Sequence, residues 1–263
     1  MHPFEDLAVP QGALGIHWFG QSSYGLKNEA GTIVQVDPYF PHDRPADRFI
    51  HGRPPLLEAS LRTDAVLLTH DHGDHTCMES LERIAEAYPE CRFVGPPESG
   101  ARLRDGGIAA DRIVEITAGE QATAGTMTAH AVWSKPPEGD PERGIDGPGV
   151  QHLGFVVDTG PVRIYISGDN INSFADLPAM MDPVRALSPQ VGCLTNHPDE
   201  GEFPYFADCG RIATGLGLRA AIPSHYQCFV TRDYDPHEWA THIAPPVRPL
   251  IIAYNQSVVY RGA

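Results

Sequence analysis

The chain has 263 residues, 41% of them hydrophobic and 20% charged, and a formal net charge of −15 from 34 acidic against 19 basic residues. A surface of that sign repels phosphate backbones and anionic membranes, which argues against a nucleic acid polymer or a membrane as partner. The composition is that of an ordinary globular protein, and with no linker-like stretch we read residues 1–263 as one domain.

The five cysteines, Cys77, Cys91, Cys193, Cys209 and Cys228, are scattered and never form C-x-x-C, so neither a disulfide framework nor a cysteine zinc site is expected. The amino terminus lacks a basic region followed by an apolar core, and no run approaches membrane-spanning length. These features predict a soluble cytoplasmic protein.

In chain order, short strands are predicted over 14–19, 23–27 and 32–36, the last ending in Asp37-Pro38-Tyr39. A proline-rich loop, 41–55, precedes a buried strand over 64–69. A helix over 78–88 follows, with apolar spacing at Leu81, Ile84, Ala85 and Tyr88. A strand over 91–95, a helix over 98–105 and a set of strands over 113–133 lead to the Pro/Gly-rich segment 135–149, long enough to act as a lid.

The second half repeats this grammar. Strands over 154–158 and 162–167 precede the turn Gly168-Asp169-Asn170, and a short helix leads to a strand over 190–195. A helix over 205–215, a strand over 220–223 and late strands over 249–253 and 258–260 complete the chain. Strand ends recurrently carry His or Asp, the pattern expected when two layered α/β halves aim their loops at one site.

The densest of these ends is T-H-D-H-G-D-H-T, residues 69–76, between the strand and helix of the first half. His70, His72, Asp74 and His75 alternate closely enough for one loop to wrap one or two cations. Imidazole and carboxylate suit zinc, manganese or iron, and two metals account for a fourth ligand where a catalytic site keeps one position open. A charged surface loop, or a cap for the following helix, is the simpler structural alternative.

These four residues match the H-x-H-x-D-H signature, and the chain resembles the metallo-β-lactamase superfamily. Asp37 resembles that family's early aspartate, which orients a ligand histidine. Asp169 of Gly168-Asp169 resembles its metal-bridging carboxylate, and His225 its late histidine. Within the superfamily, W-F-G-Q-S-S-Y, V-D-P-Y, H-L-G-F-V, I-Y-I-S-G-D and I-P-S-H-Y-Q-C-F are most similar to the L-ascorbate-6-phosphate lactonase branch.

The resemblance implies an αββα sandwich of two mixed β-sheets flanked by helices, a cofactor of two divalent ions, manganese or zinc, and a homo-oligomer. It also requires one more ligand histidine before Gly168-Asp169. His130 in T-A-H-A-V-W and His152 in Q-H-L-G-F both qualify. We take His130 as the ligand, because it precedes a variable loop leading to the G-F-V strand, and His152 as a substrate-contact residue. His197, in the acidic segment 196–202, is a second substrate candidate, although a solvated loop is the plainer reading. Arg143, Arg211 and Arg232 are unranked anion contacts.

The implied activity is hydrolysis of a lactone or ester of a small anionic metabolite, such as a phosphorylated sugar lactone, by a metal-activated hydroxide. Asp74 would orient the nucleophile and move its proton, and Asp37 would hold a ligand imidazole in register. A phosphodiesterase acting on cyclic nucleotides is the alternative. No G-x-S-x-G elbow and no phosphate loop compete with this reading.

Overall fold

A computed structural model describes residues 1–198 and 201–262. The first half contains β1 (Ala13–Gly20), β2 (Ser23–Lys27), β3 (Ile33–Val36), β4 (Ala65–Leu67), α1 (Met78–Ala87), β5 (Arg92–Gly95), α2 (Pro97–Asp105) and β6 (Ile113–Glu115). It continues through β7 (Gln121–Ala124), β8 (Met127–Trp133), β9 (Leu153–Asp158), β10 (Arg163–Ile166), α3 (Pro178–Ala186), β11 (Val191–Thr195) and α4 (Phe206–Gly215). The last elements are β12 (Ala220–Ser224), α5 (Pro236–Thr241), β13 (Arg248–Pro249) and β14 (Gln256–Arg261).

Among the described residues the strands form two seven-stranded sheets, ordered β14-β1-β2-β3-β4-β5-β6 and β13-β12-β11-β10-β9-β8-β7. Both are mixed. In the first, β3 through β6 run parallel and the others pair antiparallel. In the second, β10 through β13 run parallel while β7 through β10 form an antiparallel meander.

The two-sided burial of β4 shows how the sequence builds the layers. Ala65 and Leu67 point into the core between the sheets, with Leu14, Val34, Phe155 and Ile222. Val66 and Leu68 face the other way, under Leu81 and Ile84 of α1 and Leu103 of α2. Strand alternation thus sorts one apolar run between two cores. On the second sheet, Val156 and Leu194 pack beneath Met181, Ile212 and Trp239 of α3, α4 and α5. The result is the expected αββα sandwich.

Two elements differ from the sequence expectation. The strand predicted over 249–253 is paired only at Arg248–Pro249. Leu250 N still donates to Ala221 O at 2.8 Å, and the chain then turns through Asn255 at φ 55°. Helix α5 was not anticipated; its first turn is capped by Asp235, which accepts from His237 N at 2.8 Å. No described helix is long and apolar enough to cross a membrane.

Candidate metal centre

The ends of β3, β4, β10 and β12 and the start of β9 meet at one edge of the sandwich, bringing Asp37, the 70–75 loop, Asp169, His225 and His152 together. Three overlapping groups result: His70, His72 and His152; His70, His75 and Asp169; Asp74, His75 and His225. Within each group the donor atoms lie within 4.8 Å of one another. Asp169 stands between the outer two. Its Oδ2 is 3.7 Å from His70 Nε2, and its Oδ1 is 3.4 Å from His75 Nε2 and 3.6 Å from His225 Nε2. One carboxylate thereby faces two histidine sets with different oxygens.

The ring orientations have identifiable causes. Asp37 is fully buried and accepts from Thr69 N at 2.8 Å and from the Thr69 hydroxyl at 2.7 Å, and its Oδ2 lies 2.7 Å from His75 Nδ1. With Nδ1 of His75 occupied by that carboxylate, Nε2 is turned to the cluster. The hydroxyl of Thr69 also lies 3.0 Å from His70 Nδ1, which leaves His70 Nε2 beside His72 Nδ1 at 3.1 Å. Gln21, between β1 and β2, donates from Nε2 to Asp74 Oδ2 at 2.9 Å, while its backbone pairs with the segment carrying His225.

Backbone strain concentrates here. Gln21, Asp37 and His225 hold φ values of 53°, 44° and 71°, a region costly for side chains with a Cβ and kept where the surroundings over-determine it. Gly168 has φ 58°, and a Cβ on it would lie 2.4 Å from Leu153 O. Glycine is what lets the end of β10 close against the start of β9, so that Asp169 reaches His152's neighbourhood.

Burial alone would lower the His75 imidazole, but Asp169, Asp37 and Asp74 surround it and hold it well above the usual histidine range. Burial likewise favours a protonated Asp169, yet His75, His225 and His70 hold it well below the ordinary carboxylate value. His70 is pushed well down by burial and then by His75. His152 is lowered to about 3 by burial and by Lys135.

Several donor atoms are buried without a hydrogen-bond partner: His75 Nε2, Asp169 Oδ1 and His225 Nε2. Buried polar atoms are almost always satisfied, and these three converge on a common space. The donor set, imidazole and carboxylate without thiolate, fits divalent cations of the zinc and manganese type. His70, His72 and His152 would hold one, Asp74, His75 and His225 the other, with Asp169 between.

His130 is not brought to this edge. On β8, Met127, Ala129 and Ala131 face the inter-sheet core, so His130 falls on the opposite face, in a groove with Pro183, Ala186 and Leu187 beside α3. His152, taken from the sequence as a substrate contact, is instead 1% exposed with its ring stacked 4.0 Å from His70. Leu153 N donates to Thr69 O at 2.9 Å, tying the start of β9 to the motif. The alternation of M-T-A-H-A-V-W carried this signal, since an imidazole flanked by inward alanines points away from the core.

His197 is buried two residues beyond β11, its N–H donating to Pro204 O at 3.1 Å, and it belongs to none of the three groups. Asp199 and Glu200 of the same acidic segment lie outside the described residues. Arg143 and Arg211 both pair with Asp176, whereas Arg232 lines a cleft of about 440 Å³ beside Asp74 with Tyr39, Arg48, Gly73, Phe229 and Thr231. Sequence reasoning missed Gln21, Thr69 and Arg48. The first two sit inside motifs already singled out; Arg48 lies in the proline-rich loop 41–55, where no local motif marks it.

Fold and geometry together define a two-sheet sandwich whose strand ends carry a candidate histidine-aspartate metal centre. The chain belongs to the β-lactamase superfamily: the profile described as Beta-lactamase superfamily domain matches residues 32–226. An uncharacterized protein of Mycobacterium tuberculosis is 32% identical over 257 residues, 91% of this chain and 64% of that protein, so the chain spans less than two thirds of its length. A probable L-ascorbate-6-phosphate lactonase of Salmonella newport is 24% identical over 271 residues, covering 89% of this chain and 75% of the other. Among solved structures, a metallo hydrolase of Ignicoccus hospitalis superposes with a TM-score of 0.70 at 19% identity, over 95% of this chain and 100% of that one.

Proposed function

We propose that the protein is a metal-dependent hydrolase of a lactone or ester of a small anionic metabolite, a phosphorylated sugar lactone being the simplest case. The observation that carries this reading is the convergence of the unpartnered His75, Asp169 and His225 atoms at the head of the Asp74 cleft. The similarity to a probable lactonase adds support for the substrate class.

Bound divalent ions would supply Lewis-acid polarisation of the acyl oxygen and a water acidified enough to be a nucleophile at neutral pH. The chain's own residues do the rest. Asp74, fixed by Gln21 and partly open to the cleft, orients the attacking water and carries away its proton. Asp37 keeps the His75 ring in register, and the buried walls of His70, His152 and His225 keep bulk water from the reacting centre.

Manganese or zinc at two sites, a cytoplasmic location and a homo-oligomeric assembly belong to the same proposal. The five cysteines support the location, each free and buried. The test is metal content together with hydrolysis of a lactone and of a cyclic phosphodiester, on wild type and His72→Ala. Stoichiometric metal and lactone turnover, both lost in the variant, are expected. Turnover of the phosphodiester alone would reassign the substrate, and wild type without metal after supplementation would end the reading.

A further inference from the structure

The geometry points to Arg48 and Arg232 as the determinants of substrate specificity, receiving an anionic oxygen group, phosphate or carboxylate, in the cleft beside Asp74. This rests on the hydrolase reading for the reaction but on separate residues for recognition.

Against a net charge of −15, the cleft beside Asp74 is lined by two arginines, and Asp74 is the single acid lining it among the described residues. Arg48 has no carboxylate within ion-pair distance among the described residues, whereas eight of the other sixteen arginines pair with one. Its guanidinium lies 5.2 Å from the Phe49 ring centroid and 5.5 Å from that of Phe229. Two aromatic faces thus fix a cation that stays exposed, which leaves its donors for a ligand.

The placement is coupled to the centre. Val230 N donates to Arg48 O at 3.0 Å, Ile50 N donates to Cys228 O at 2.9 Å, and Phe49 bridges to Phe229, so the 41–55 loop is stitched to the segment just after His225. Arg232 stands on the same segment, its guanidinium 6.0 Å from the Phe203 centroid, and Phe203 in turn packs 5.0 Å from the His225 ring. Tyr39, whose phenol burial pushes up and so keeps protonated, offers an O–H on the same wall. Guanidinium groups with a hydroxyl suit a compact oxyanion, and the net charge favours a small substrate over a polymer.

The test uses the metal-loaded full chain with D-glucono-1,5-lactone 6-phosphate against its unphosphorylated parent. Binding of gluconate 6-phosphate, D-glucarate and gluconate is measured alongside by calorimetry. Wild type should favour the phosphate or the carboxylate ligand over the neutral-tailed one by tenfold or more, and which is favoured identifies the group. Arg48→Gln and Arg232→Gln should each weaken that ligand about tenfold through KM or Kd while changing gluconate or the parent lactone less than twofold. Absence of turnover with the binding preference intact would sink the hydrolase reading and leave this one standing. Equal affinities in wild type, or equal losses on both ligands in the variants, would overturn it.

Discussion

The Asp37 carboxylate lies 2.7 Å from His75 Nδ1 at full burial of both side chains, and that one contact decides which nitrogen His75 turns to the cluster. Asp37→Asn replaces an acceptor-only group by an amide that presents a donor to the same nitrogen. The expected result is a loss of about 10–100-fold in metal affinity. Competition with a chromophoric chelator measures it; unchanged affinity would remove Asp37 from its positioning role.

His152 and His130 make opposite predictions. His152→Ala should lose one metal equivalent and most hydrolytic activity, because the ring stacks on His70 within the first histidine group. His130→Ala, on the α3 side of β8, should retain wild-type metal content and activity within about twofold. Elemental analysis of the two variants side by side decides it, and the reverse pattern would restore His130 as the ligand.

Gly168→Ala tests the strand junction. A Cβ would meet Leu153 O at 2.4 Å with the backbone at φ 58°, so strain and clash add. A destabilisation of about 2–4 kcal/mol is expected, seen as a fall of roughly 5–10 °C in Tm. A Tm within a degree of wild type would show that β9 and β10 can separate at no cost.

Acid sensitivity should arise partly far from the centre. His17 on β1 is 2% exposed, its Nε2–H donating to Asn255 Oδ1 at 2.9 Å and its Nδ1 accepting from the Ser257 hydroxyl at 2.7 Å. Burial lowers it to about 4 despite the Asn255 contact. The neutral ring's contribution is complete above the unfolded value near 6.5. As pH falls from there to about 4 the unfolded chain binds a proton that the folded one does not, and stability drops by up to about 3 kcal/mol. In urea unfolding across this window, His17→Gln should show a shallower decline than wild type; parallel curves would refute the assignment.

The sandwich was legible because its signals are local. An apolar run such as 65–68 with turn residues at both ends reads as a buried strand, and the spacing of Leu81 and Ile84 reads as a helix on top of it. The end of the chain was less legible. Register there depends on hydrogen bonds such as Leu250 N to Ala221 O, between residues 29 positions apart, which no window of sequence contains.

The sequence by itself determined half of the candidate centre. His70, His72, Asp74 and His75 lie within six consecutive positions, so any fold that keeps this loop keeps them together. Asp169 and His225, distant in the chain, were named through the family resemblance; tertiary structure decided the remaining ligand, which is selected by where a strand starts and which face its side chain takes. The pairing of Trp133 with Leu153 puts His152 at the sheet's edge, over Thr69, while the pleat turns His130 outward toward α3. The family pattern favoured His130; the period of two along a β-strand turns it away from the centre.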